Sequence, residues 1–228
     1  MNVETNLRKL KQDIQNACEK SNRNPNEITI IAVTKYVSIK RAIEAVEAGI
    51  IHLGENRDEG LLEKWETLKD KPKWHYIGSL QTRKTKNIVN IVDYIHSLDR
   101  ISLAEEINKR ANQPIKCFVQ VNVSGEDTKN GMSPSEVIPF VESMKDYHNI
   151  IICGLMTMAP FTNDEGIIRH CFKRLKSLQM EIIERRFSFA PCQELSMGMS
   201  NDYKIAIEEG ATFIRIGTAL VGEKEGEV

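Results

Sequence analysis

Short runs of apolar, largely β-branched residues return eight times along this sequence, and a helical pattern separates each from the next. They are "ITIIAVT" (28–34), "IIHLG" (50–54), "WHYIG" (74–78), "DYIHSL" (93–98), "KCFVQVNV" (116–123), "IIICGLMTM" (150–158), "ELSMG" (194–198) and "FIRIG" (213–217). Runs this short suit strands, and the intervening stretches, such as Ile39 to Ala48 and Ile167 to Arg185, carry helical spacing. Strands alternating with helices pair in parallel through right-handed crossovers. Eight units favour a closed barrel over an open doubly wound sheet, and no G-x-G-x-x-G follows the first run. Val3, Leu7, Leu10, Ile14 and Cys18 add an amphipathic helix before the first strand. The predicted fold is α/β, a single (β/α)₈ TIM barrel: one domain over 1–228, with the extra helix in 1–22 and the barrel in 28–222.

The balance of 31 basic and 32 acidic residues gives a net charge of −1, so nothing in it favours nucleic acid or an anionic membrane as partner. The first twenty residues lack the apolar core of a signal peptide, and no apolar run approaches the ~20 residues of a membrane helix. Five cysteines without a C-x-x-C pair read as reduced thiols, so the expected location is the cytoplasm. The five histidines show no metal-ligand spacing, and no metal is expected.

Barrel enzymes keep their chemistry at the C-terminal ends of the strands. Those positions hold Lys35, then Glu55 and Asn56, Ser79, Ser97 and Asp99, Asn122, Met156 and Thr157, Gly198 and Ser200, and Gly217 and Thr218. "SMGMSND" and "RIGTALVG" follow the seventh and eighth strands, where barrels often bind phosphate. Gly198, Ser200, Gly217 and Thr218 could supply backbone N–H groups and hydroxyls for an oxyanion, or serve only as turn and cap residues. Arg215 shares a strand face with Gly217 and needs an acceptor, either a carboxylate such as Glu55 or a ligand.

A lysine closing a buried strand calls for a partner, a lowered pKa or covalent occupation. With a phosphate cradle across the barrel, Lys35 suits a phosphorylated aldehyde held as a Schiff base, and pyridoxal 5′-phosphate (PLP) meets that description. A substrate Schiff base of the aldol type and a merely ion-paired lysine are the alternatives on chemistry alone.

The segments "AVTKY", "HLGENR", "WHYIGSLQTRK", "VQVNVSGEDTKNG", "GLMTMAP", "LSMGMSNDYKIAI" and "IRIGTALVG" resemble, in order, the motifs of the pyridoxal phosphate homeostasis protein family, related to the N-terminal barrel of alanine racemase. The resemblance spans about residues 28–222, and departs at "VSIK", where many relatives have a proline soon after the lysine. It implies that Lys35 forms the Schiff base and that Ser200, Gly217 and Thr218 bind the phosphate. It places Arg215 beside the pyridine ring, Asn56 near the cofactor and Met197 in the pocket wall. Lys129 matches a loop lysine that is either a secondary PLP contact or a solvated charge, and His75 is either pocket-side or core.

The resemblance implies a cytoplasmic PLP carrier acting in vitamin B6 homeostasis, with PLP-dependent apoenzymes as possible partners and no catalytic residues. An arginine at the pyridine nitrogen disfavours its protonation and weakens carbanion chemistry. Racemases also use a further β domain and a partner subunit, whereas only "TALVGEKEGEV" follows the last strand, so a monomer is expected. A low-activity amino-acid racemase is the alternative; Tyr36, Tyr76 and Tyr203 are near in sequence, but nothing fixes one opposite Lys35.

Overall fold

The computed structural model describes residues 2–126 and 129–222; residue 1, Asp127 and Thr128 of the "GEDTKNG" motif, and residues 223–228 lie outside the description. Eight parallel strands close into a barrel in chain order: β1 (Thr29–Val33), β2 (His52–Glu55), β3 (Lys73–Tyr76), β4 (Tyr94–Leu98), β5 (Ile115–Gln120), β6 (Ile150–Met156), β7 (Glu194–Met199) and β8 (Phe213–Ile216). Ring closure is carried by β1 and β8, with Ile31 opposite Arg215. The predicted barrel is thus the observed one. Strand ends differ from the run ends by a few residues: β5 stops at Gln120 and β6 at Met156, short of their runs, while β2 and β7 each continue one residue past theirs.

The helices form the outer ring: α1 (Val3–Lys20), α2 (Ile39–Glu47), α3 (Asp58–Leu68), α4 (Thr85–Ile88), α5 (Ile101–Arg110), α6 (Pro134–Ser143), α7 (Glu165–Glu184), α8 (Tyr203–Glu208) and α9 (Thr218–Val221). Their starts follow local chemistry. The Asn2 side chain caps α1 through the Glu4 N–H at 2.8 Å. The Ser38 hydroxyl accepts from the Arg41 N–H at 3.3 Å and starts α2 three residues after Lys35. Ser133 and Glu136 make a reciprocal capping box on α6. α1 lays Val3, Leu7, Leu10 and Ile14 against the barrel's outer layer and packs on α8 and α9.

Period-two alternation splits the buried residues into two sets. Outward-facing Ala32, Leu53, Leu195, Met197, Ile214 and Ile216 join the large cluster between sheet and helices. Ile31, Phe118, Met156 and Phe213 face the lumen. Burying each such large apolar side chain contributes about 1.5–3 kcal/mol. The lumen is unusual in also holding polar groups: His75, His96, Ser196 and Arg215 are all buried there.

Candidate functional site

Four neighbouring strands, β7, β8, β1 and β2, carry the candidate residues on one arc of the mouth. Arg215 lies level with Ile31 of β1 and Met199 of β7. Gly217 follows against Val33: a Cβ built on it would lie 3.8 Å from the Val33 Cβ. Val33 in turn pairs with Gly54, two residues before Asn56.

Lys35 stands two residues beyond the end of β1 and is exposed. The expectation of a buried strand-end lysine is corrected: the strand stops at Val33, and the chain turns before the amine is enclosed. Thr34 is the buried residue instead, and its hydroxyl donates to Glu55 Oε1 at 2.6 Å. Glu55 also meets Lys64 Nζ at 3.1 Å, with both side chains almost fully enclosed. This pair ties the end of β1 to β2 and α3, and so fixes the base from which Lys35 projects. Lys64 was missed in the sequence. Its signal was its place between Leu61 and Leu68 on the apolar face of α3.

The sequence marks Tyr36 only as a tyrosine near Lys35. Its φ is +70°, a region that bulky residues seldom occupy. That turn holds the ring beneath the amine, with Lys35 Nζ 5.5 Å from the ring centroid, and the Asn56 amide donates to the Tyr36 hydroxyl at 3.4 Å. The Asn56 contact and the Lys35 charge hold the phenol below its ordinary value of 10.0. Asn56 is positioned from behind by Gly78, where any Cβ would sit 2.3 Å from the Asn56 carbonyl oxygen.

On the other side of the arc, β7 ends at a close approach. Gly198 has φ +92°, and a Cβ there would lie 2.6 Å from the Ala206 Cβ, so only glycine lets α8 pack this near. Asp202 accepts from the Met199 N–H at 2.5 Å and folds the "MSND" turn. Burial raises its carboxyl pKa, partly offset by the Met199 N–H and the Arg215 charge. Ser200 is half-buried in this turn, while Gly217 and Thr218 begin α9 beside it. A cleft of about 290 Å³ opens here between Ala159, Phe161, Met199 and Asp202. A larger one, about 650 Å³, lies at the opposite end of the barrel around Lys73, Asp93 and Tyr94, away from Lys35.

Arg215 does not pair with Glu55, which is committed to Thr34 and Lys64. It donates through Nη1 to Ser196 Oγ at 2.7 Å and through Nη2 to the Thr157 carbonyl at 2.9 Å. Burial lowers its pKa to about 10, still well above neutrality. Met197, expected in the pocket wall, is enclosed between sheet and helices, on the strand face opposite Ser196. His75 is a lumen residue with no exposed surface. Lys129 pairs with Glu126 and donates to Ser124 Oγ at 3.3 Å within its loop.

Residues 5–225 match the family described as alanine racemase, N-terminal domain. The pyridoxal phosphate homeostasis protein of Aquifex aeolicus (strain VF5) is 40% identical over 229 residues, covering 99% of this chain and 100% of that one. The chain belongs to the pyridoxal phosphate homeostasis protein family. A structure of PipY from Synechococcus elongatus PCC7942 with PLP bound is 30% identical, with TM-score 0.80 over 92% of this chain and 100% of that one. Alanine racemase from Clostridium difficile 630 shares the fold at 15% identity, with TM-score 0.78, and this chain spans 58% of it. The family resemblance read from the sequence thus agrees with the family model and the Aquifex aeolicus relative, and the expected barrel with the solved structures.

Proposed function

We propose that this chain holds PLP as a Schiff base on Lys35 and serves intracellular PLP homeostasis, buffering or delivering the cofactor without a substrate of its own. The observation that carries the reading is the arc itself: an accessible amine, a turn pair rich in N–H and hydroxyl donors, and a buried arginine sit on adjacent strands. PLP needs those three kinds of group, and a relative has been solved with PLP bound. When bound, the cofactor supplies an aldehyde that condenses with amines and a ring able to withdraw electrons from them.

The residues divide the work. Lys35 supplies the amine, which Thr34 and Glu55 aim by anchoring the strand end. Ser200, Gly217 and Thr218 offer donors to the phosphate, and Asn56 with Tyr36 borders the amine. Arg215 uses two N–H groups on protein oxygens and keeps others for an acceptor. A guanidinium at the ring nitrogen disfavours a proton there, which weakens carbanion chemistry and suits a carrier.

Weak amino-acid racemisation is the competing reading, and Tyr36 favours it: a phenol with a depressed pKa beside the amine is a possible acid or base. The test is a visible-absorption titration with PLP, followed by assay against a panel of D- and L-amino acids. A Lys35-dependent imine band without turnover supports the carrier. Turnover lost in both Lys35→Ala and Tyr36→Phe supports the racemase.

A further inference from the structure

A row of hydrogen bonds crosses the barrel lumen from the N-terminal ends of the strands to Arg215. His52 Nδ1 lies 2.8 Å from His75 Nε2, and His75 Nδ1 lies 2.8 Å from His96 Nε2. His96 Nδ1 is 2.9 Å from Ser196 Oγ, which also meets Arg215 Nη1. The three rings come from consecutive strands, β2, β3 and β4, and aromatic packing clamps them. His75 stacks on Tyr94 at 4.4 Å and His96 on Phe118 at 4.3 Å, with Phe213 against all three.

We propose that His52, His75, His96 and Ser196 form a one-directional hydrogen-bond chain, a positioning network whose aligned dipoles hold the buried Arg215 cation in place of a contacting carboxylate. The direction follows from donor arithmetic. A guanidinium only donates, so Ser196 Oγ accepts from Arg215. The serine has one hydrogen, and among the described residues His96 Nδ1 is the acceptor within its reach. His96 therefore carries its proton on Nε2 and donates to His75 Nδ1, and His75 Nε2 donates to His52 Nδ1. His52, half-buried at the far end, then carries its own proton on Nε2. The opposite direction would leave the Ser196 hydroxyl hydrogen unmatched in the interior and point an imidazole N–H at a cation.

Every ring then presents its negative nitrogen toward Arg215. Among the described residues no carboxylate lies within ion-pair distance of the guanidinium; Asp202 acts on it only at longer range. Full neutrality of the rings fits their surroundings. His75 faces the other two histidines and His96 faces Arg215, while His52 feels Asp93, Lys73 and Lys116 at the barrel base. A dipole chain neutralises less charge than a carboxylate would, so Arg215 keeps its positive charge for a ligand acceptor. That last consequence rests on the PLP reading; the direction of the chain stands on geometry alone.

Ring-nitrogen NMR of the full chain with labelled histidine, at neutral pH and without added PLP, tests the direction. The expected result is that His52, His75 and His96 are neutral and protonated on Nε2. A proton on Nδ1 of any of them, or a doubly protonated ring, overturns the proposal. Cutting the row with His75→Phe is expected to release His52 into a tautomer mixture while His96, still fixed by Ser196, keeps its proton on Nε2; an unchanged single tautomer at His52 would count against it. The consequence for the ligand is read by PLP titration of Ser196→Ala. Its dissociation constant should rise about ten- to a hundredfold, as expected for a buried charge stripped of one hydrogen bond, with Ser196→Thr restoring binding. An unchanged constant overturns the positioning role. Failure of the wild type to bind PLP at all sinks the PLP reading and leaves the tautomer result standing.

Discussion

Tyr36 shows at the scale of one residue what the site asks of the chain. Its left-handed backbone costs an L-residue with a Cβ roughly 1–2 kcal/mol, and the residue is 56% exposed, so packing returns little of that. Asparagine tolerates this conformation better. Tyr36→Asn should therefore raise stability by about 0.5–1 kcal/mol in urea unfolding while weakening PLP binding; a loss of stability would show that the ring contributes more than its exposure suggests. Glu55 presents the reverse case. Glu55→Ala leaves Lys64 buried without its partner and should cost about 3–5 kcal/mol, whereas replacing both by well-packed apolar residues should cost far less. Equal effects of the single and double changes in thermal unfolding would contradict that account. Lys35 was legible as a special residue from the sequence, but for a mistaken reason. Enclosure of its amine would require the strand to run on to the lysine. The structure ends it at Val33 and buries Thr34 instead, so what marks Lys35 is access rather than enclosure.

At the scale of elements, the close approach of α8 to β7 holds the "MSND" turn over the mouth. Gly198→Ala introduces both a forced φ of +92° and a Cβ 2.6 Å from Ala206. The helix must shift, so a loss of about 2–3 kcal/mol and weaker PLP binding are expected together in paired melting and titration experiments. Intact binding in a destabilised variant would separate the turn from the phosphate role. The barrel was legible because its strands are short, apolar and separated by helical spacing; eight such units leave few alternatives. Strand ends were less legible, since β5 stops at Gln120 although the apolar run continues through Val123 into the mouth loop. Met197 was misplaced for a related reason. Motif membership says nothing of strand parity, and parity sends it outward between Ser196 and Gly198. The histidine row escaped notice because its members are distant in sequence. The signal existed, one histidine inside each of the runs "IIHLG", "WHYIG" and "DYIHSL", but only the parallel register aligns them.

For the molecule as a whole, that row makes stability depend on pH. Burial holds His75 and His96 well below the ordinary imidazole value of 6.5, with neighbouring cationic or imidazole groups adding to it. The native state therefore refuses protons that the unfolded chain accepts once the pH falls below about 6.5. The stabilisation is complete above that value and is lost on acidification, at about 1.4 kcal/mol per pH unit for each histidine. Urea midpoints should fall between about pH 6.5 and 5, before ordinary carboxylates titrate, and His75→Phe should flatten the slope. A flat profile in the wild type would mean that the rings titrate freely. The central claim is that one amine on the mouth arc holds the cofactor. Its most direct test is borohydride reduction of the PLP-treated protein followed by peptide mass mapping. The account predicts a single reduced pyridoxyl adduct on the peptide containing Lys35, absent from Lys35→Ala. An adduct on Lys129 or spread over surface lysines, with Lys35 unmodified, would contradict it.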